Sequence, residues 1–168
     1  MSSGWQKRLQ RVAALAPVSW LLAHTLHHLD RPLLRLSRGR LSLAGLVTGL
    51  PVIMLTTTGR QSGRPRTTPL AGIVDGANVV LVASYFGSAR CPAWYYNLRA
   101  QPQALVTVGG RTRAYRAREV RGDEYERSWQ RALQVYAGYA AYRARVHRRI
   151  PILLLSPLHD DSARTRLP

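Results

Sequence analysis

Cysteine occurs once, as Cys91, so no intramolecular disulfide can form and the chain suits a reducing compartment. Beside Pro92, that cysteine reads as a small packed residue rather than a nucleophile. No Cys/His group has the spacing of a zinc site. His24, His27 and His28 lie close together, but no carboxylate or thiolate joins them, so no metal is expected. Lysine also occurs once, as Lys7, and arginine carries the rest of the positive charge. Acids are few: 8 Asp and Glu against 25 Lys and Arg give a formal net charge of +17 and a pI near 11.5. Such a surface favours anionic partners: nucleic acid, acidic lipid headgroups or a polyanionic cofactor. No helix-turn-helix, RNA-recognition or zinc module accompanies the charge, so nucleic acid is not the expected partner. Long apolar runs are missing too. The most apolar early stretch, residues 5–29, is broken by Pro17, His24, His27 and His28 and is too short to span a bilayer.

With 168 residues, 46% of them hydrophobic, the chain has enough to form one domain with a sizeable core. There is no internal repeat. The most informative stretch is Leu55-Thr-Thr-Thr-Gly-Arg-Gln-Ser-Gly-Arg-Pro-Arg-Thr-Thr-Pro-Leu70. Its ends read as strands. Between them, Gly59 and Gly63 permit tight turning, and successive backbone N–H groups in such a turn are expected to form an anion-binding concavity. Arg60, Arg64 and Arg66 add forked donors suited to phosphate or carboxylate. On composition alone, an anion-binding hairpin and a solvated basic tip are equal readings.

The rest of the chain divides into residues 1–49, a basic helical appendage; 50–157, the main domain; and 158–168, a polar tail. Residues 5–29 predict a helix preceded by Lys7, Arg8 and Arg11. Such a helix can lie at a membrane surface or pack on the domain. Strands are expected over 51–58, 67–74, 79–84, 104–108, 112–120 and 150–155. Asp75-Gly76 and Gly109-Gly110 form turns between strands. Pro92 is expected to be the first residue of a helix reaching Ala100. Asp123 and Glu124 open a long helix that breaks near Gly138. Short strands joined by hairpins, with inserted helices, predict an antiparallel barrel.

The run Leu55 to Leu70 resembles the hallmark hairpin of the deazaflavin (coenzyme F420)-dependent nitroreductase family, including its F420H2-dependent quinone reductases. Ser84-Tyr-Phe-Gly, then Pro92-Ala-Trp-Tyr-Tyr-Asn-Leu-Arg-Ala-Gln-Pro102, resembles the family's second cofactor segment. Val135-Tyr-Ala-Gly-Tyr-Ala-Ala-Tyr142, followed by Arg149-Ile-Pro-Ile-Leu153, resembles its tyrosine helix and last strand. The three stretches keep the family's order and spacing over residues 50–157. The resemblance implies a mainly β, α+β split β-barrel of the FMN-binding, pyridoxamine-phosphate-oxidase-like kind. It also implies an enzyme that passes a hydride from reduced coenzyme F420 to a quinone, nitro or enone-type acceptor.

By the same resemblance, Arg60, Gln61, Ser62 and Arg66 hold the cofactor phosphate, and Thr67, Thr68, Pro69, Leu70 and Ala71 run beside the ring. Val82, Ala83, Ser84 and Tyr85 line the next strand, while Ala93, Trp94, Tyr95, Tyr96 and Asn97 cover the cofactor. Gln61 stands where relatives often carry a basic residue, and Ala71, where some carry tyrosine, widens the substrate side. Arg99, Arg111, Arg113 and Arg116 either attract the acidic cofactor tail or form a solvated face. Tyr136, Tyr139 and Tyr142, three residues apart and therefore expected on one helix face, orient the acceptor together with Ser84. No carboxylate stands out as a general acid. The implied location is cytoplasmic, with the N-terminal helix touching the inner face of the membrane, and nothing fixes an oligomeric state. An FMN- or haem-binding barrel, or a non-catalytic basic protein on a membrane or nucleic-acid surface, are the competing readings.

Overall fold

The computed structural model describes residues 52–158; the expected N-terminal appendage, its membrane contact and nearly all of the polar tail fall outside them. Among the described residues no helix is long and apolar enough to cross a membrane. No group of three His, Cys, Asp or Glu among them could hold a metal ion.

Seven strands form one antiparallel sheet: β1 (Val52–Thr58), β2 (Pro65–Ala71), β3 (Ile73–Asp75), β4 (Asn78–Val82), β5 (Gln103–Val108), β6 (Arg111–Glu119) and β7 (Ile152–Pro157). Helices α1 (Ala93–Ala100), α2 (Gly122–Val135) and α3 (Gly138–Arg145) are inserted among them. The ladder runs β2-β1-β5-β6-β7-β4-β3. Its two edge strands, β2 and β3, are separated in sequence by Gly72 alone. Because one stretch of chain serves both edges, the sheet has to curl so that β2 can hand over to β3 across Gly72. This is the antiparallel barrel that the pattern of short strands predicts, in the split form that the resemblance implies.

Gly72 is where the chain leaves one edge for the other. A Cβ there would meet three Ile53 side-chain carbons at 3.0–3.2 Å. The expected single strand over 67–74 is therefore corrected to two strands hinged at a residue that needs close approach. Both glycine turns form as the dipeptides predict, with positive φ at Gly76, Gly109 and Gly110. The last strand starts at Ile152 rather than Ile150 and carries Ser156 and Pro157, because Tyr115 and Arg116 of β6 pair with them. Pro92 is not the first helical residue. It caps α1 in extended conformation (φ −66°, ψ 154°), its carbonyl already accepting from the Tyr95 amide at 3.1 Å.

Two cores result. Inside the barrel, Ile53 and Leu55 of β1, Val79, Leu81 and Ala83, and Leu153 and Leu155 pack with Trp94, Tyr95 and Leu98 of α1. Outside it, Val80 and Val82 pack with Tyr125, Trp129 and Ala132 of α2 and with the tyrosines beyond. β4 is thus apolar on both faces, since successive strand residues point to opposite sides. Two exposed ion pairs fasten α2 to the sheet: Arg118 grips Glu124 through two bonds, one of 2.6 Å, and Arg131 meets Asp75 at 2.9 Å.

Candidate functional site

The arginine-rich turn between β1 and β2 is closed by its own backbone. The Gly59 amide donates to Arg64 O at 2.9 Å, and the Gly63 amide donates to Gly59 O at 2.8 Å. Gly63 has φ +65°, and a Cβ on Gly59 would sit 2.7 Å from Ser62 Oγ. Gly63 is therefore needed for the turn's backbone, while at Gly59 a side chain would press on the Ser62 hydroxyl and, at 3.2 Å, on the Arg64 carbonyl. The expected cradle of N–H groups is narrowed: the Arg60 amide is also engaged, donating to Asn97 Oδ1 at 3.1 Å. The turn also offers an anion its side chains. Arg60, Gln61, Ser62, Arg64, Arg66 and Thr67 are all exposed and no carboxylate stands among them.

α1 anchors this turn. Asn97 is buried, accepts from Arg60 and donates through Nδ2 to Thr57 Oγ1 at 3.0 Å, Thr57 being 2% exposed. The Arg60 guanidinium lies 5.1 Å from the centre of the Tyr96 ring, a cation–π distance. Tyr95 donates its hydroxyl to Glu119 Oε2 at 2.9 Å. Burial, and then that bond, push the Tyr95 hydroxyl above its ordinary value. The Trp94 and Tyr95 rings belong to the inner core, whereas Ala93 is exposed and Tyr96 half-buried.

The second segment, at the end of β4, turns left-handed. Tyr85 (φ 45°), Phe86 (φ 56°) and Gly87 (φ 79°) all have positive φ. For the two non-glycine residues this costs about 1–2 kcal/mol each, and such strain persists where surrounding structure imposes it. Ser84 is buried and Tyr85 is exposed. Across from them, the Arg148 guanidinium reaches the carbonyls of Ala83, Ser84, Ser88 and Arg90 at 3.0–3.3 Å. Sequence reasoning missed Arg148, because nothing in the run His147-Arg148-Arg149 distinguishes one arginine from the other.

The tyrosines do not share one helix face. α2 ends at Val135, Tyr136 is extended (φ −144°, ψ 101°), and α3 starts at Gly138. The break nevertheless brings the rings together at centroid distances of 5.2–6.2 Å, and the Tyr136 and Tyr142 hydroxyls meet at 3.1 Å. A Cβ on Gly138 would overlap the Tyr136 ring, which explains the glycine. All three tyrosines are buried, and burial above all raises the Tyr136 and Tyr139 hydroxyls well beyond the ordinary tyrosine range.

Strand alternation divides the remaining expected site residues. Leu70 and Ala83 face the inner core with Trp94, Tyr95 and Tyr96, while Ala71 and Val82 face the outer core with the tyrosines. Their side chains therefore divide between the two faces of the sheet. Thr68 and Pro69 are half-buried on β2, and the Thr56 and Thr67 hydroxyls meet at 2.9 Å across the ladder.

The family model for F420H(2)-dependent quinone reductases matches residues 33–157. An F420H(2)-dependent quinone reductase of Mycobacterium tuberculosis is 37% identical over 109 residues, covering 63% of this chain and 73% of that protein. A second M. tuberculosis protein bearing the family name is 35% identical, covering 68% of this chain and 96% of its own length. Among solved structures, an F420-H2 dependent reductase superposes with a TM-score of 0.59 at 34% identity, covering 63% of this chain and 94% of that one. A chain described as a domain-swapped dimer superposes with a TM-score of 0.61 at 29% identity, covering 84% and 100%. A haem-binding protein of Mycobacterium smegmatis shares the fold alone, at 19% identity and a TM-score of 0.50, covering 63% of this chain and 46% of that one.

Proposed function

This chain belongs to the F420H(2)-dependent quinone reductase family, its cofactor is reduced coenzyme F420, and we propose that it transfers a hydride from that cofactor to a quinone or a nitro or enone-type acceptor. The observation that carries the assignment of the site is the link between Arg60 and Asn97. It joins the arginine turn to α1, and so brings two of the resembling segments into one constellation.

The chemistry of the turn fits an anionic ligand: exposed arginines and a hydroxyl, with no acid among them. Arg60, Ser62 and Arg66 hold the cofactor phosphate by charge-assisted hydrogen bonds. Thr67 to Ala71 supply the wall of β2, Val82 to Tyr85 the end of β4, and Ala93 to Asn97 the start of α1. When bound, the reduced deazaflavin supplies the hydride, and the protein contributes binding and orientation. The tyrosine cluster and Ser84 lie on the side of β4 and the left-handed turn where an acceptor enters. Burial keeps the Tyr136 and Tyr139 hydroxyls protonated and able to donate to an acceptor oxygen. With a quinone, hydride and proton together give the hydroquinone. The cations of residues 1–40, Lys7, Arg8, Arg11, Arg31, Arg35, Arg38 and Arg40 against Asp30 alone, support attachment to an anionic membrane where quinones reside. Titration with reduced F420 beside FMN and NADPH tests the assignment, with selective binding of F420 expected.

A further inference from the structure

Among the described residues, the left-handed turn at Tyr85–Gly87 is the one place where two consecutive non-glycine residues hold positive φ. Its internal bonds are two: Gly87 amide to Ser84 O and Ser88 amide to Tyr85 O, each 3.0 Å. Two such bonds in a three-residue turn do not by themselves impose a conformation that L-residues avoid. On one side the turn rests on α3. A Cβ on Gly87 would lie 3.4 Å from the Tyr142 Cα and 3.5 Å from the Arg145 Cδ, and the Phe86 and Tyr142 rings meet edge to face at 6.3 Å.

On the other side stands Arg148. Its Nη2 lies 3.2 Å from Ala83 O, 3.3 Å from Ser84 O, 3.0 Å from Ser88 O and 3.1 Å from Arg90 O, and its Nε lies 3.2 Å from Ser88 O. Two Nη2 hydrogens shared among four carbonyls are not four full bonds. They do tie the residues entering the turn to those leaving it. The planar fork presents these donors together.

We propose that Arg148 is a positioning residue of this reductase: by gathering the Ala83, Ser84, Ser88 and Arg90 carbonyls it imposes the left-handed turn, and so sets where Ser84 and Tyr85 stand in the cofactor site. The proposal rests on the reading that Ser84 and Tyr85 line that site. Arg148 touches neither reacting group; it acts through the backbone it holds.

Two readouts on the purified full chain test this: hydrogen exchange at the Gly87 and Ser88 amides, and affinity for coenzyme F420. Arg148→Ala should speed exchange at those amides and weaken F420 binding, each by about tenfold or more. Arg148→Lys, which keeps charge and bulk and guards against a misfolded alanine variant, should reproduce most of both losses, since one ammonium cannot span both ends of the turn. Arg149→Ala, which alters the neighbouring exposed arginine, should change neither. Unaltered exchange at Gly87 and Ser88 in both Arg148 variants would overturn the clasp. Faster exchange with unaltered F420 affinity would instead overturn the placing of Ser84 and Tyr85 in the cofactor site. Full F420 affinity in Arg148→Lys with loss in Arg148→Ala would overturn the geometric role in favour of a purely electrostatic one.

Discussion

The backbone amide of Arg60 donates to the side-chain oxygen of Asn97 at 3.1 Å, across 37 residues of sequence. The same amide side chain donates to Thr57 Oγ1, so one buried asparagine holds the first residue after Gly59 and the strand leading into it. The turn's position relative to α1 therefore depends on Asn97 as much as on the turn's own glycines. Asn97→Ala strands the buried Thr57 hydroxyl and frees the Arg60 amide, and should cost about 1–3 kcal/mol of stability. It should also weaken F420 binding, because Arg60 loses its fixed origin. Denaturant unfolding with cofactor titration checks both. Asn97→Asp, which keeps an acceptor for the Arg60 amide, should bind better than the alanine variant.

The hydroxyl pair Tyr136–Tyr142 separates packing from substrate contact. Tyr136→Phe or Tyr142→Phe removes a buried hydrogen bond, and each should lose about 0.5–1.5 kcal/mol of stability. Tyr139→Phe should leave the melting temperature nearly unchanged and lower kcat/KM for menadione by roughly tenfold, about 1.4 kcal/mol, if its hydroxyl steadies the charge developing on the acceptor. Thermal melts beside steady-state kinetics distinguish the two classes. Wild-type kinetics in all three variants would leave the cluster a packing device.

The raised Tyr136 and Tyr139 hydroxyls have a consequence at alkaline pH. An unfolded tyrosine ionises near its ordinary value of 10.0, while these two retain their protons well above it in the folded chain. Between those limits the folded state binds more protons, so stability falls as pH rises. Their contribution is fully present below pH 10 and is lost above it. Urea midpoints should decline from about pH 10 upward, more steeply in wild type than in a Tyr136→Phe/Tyr139→Phe double variant. Equal declines in the two proteins would contradict the burial argument.

The elements that sequence reveals here are those governed by local chemistry. Asp75-Gly76 and Gly109-Gly110 announce their turns because positive φ is nearly private to glycine at such positions. The Leu and Thr content of the run entering the arginine turn announces β1. What local chemistry cannot show is partnership. Gly72 looks like any strand glycine until Ile53 is seen beside it, and only then does the strand divide. Spacing of three suggests a helical tyrosine stripe, but Gly138 is crowded by the Tyr136 ring, and the helix breaks there while the rings still meet. The turn's composition implies free amides, yet those of Gly59 and Gly63 are used within the turn and that of Arg60 by Asn97. Arg148 carries no local signal at all, because its partners lie roughly 60 residues away.

The central claim is that the arginine turn, held to α1 by Asn97, receives the phosphate of coenzyme F420. The measurement that tests it most directly is a titration of wild type, Arg60→Ala and Arg66→Ala with F420 and with FMN, followed by tryptophan fluorescence. Wild type should bind F420 more tightly than FMN. Each alanine variant, folded as wild type, should lose roughly one to two decades of F420 affinity, as expected for a charge-assisted contact of about 1.5–3 kcal/mol. Equal or tighter binding of FMN by wild type, or unchanged F420 affinity in both variants, would contradict the claim.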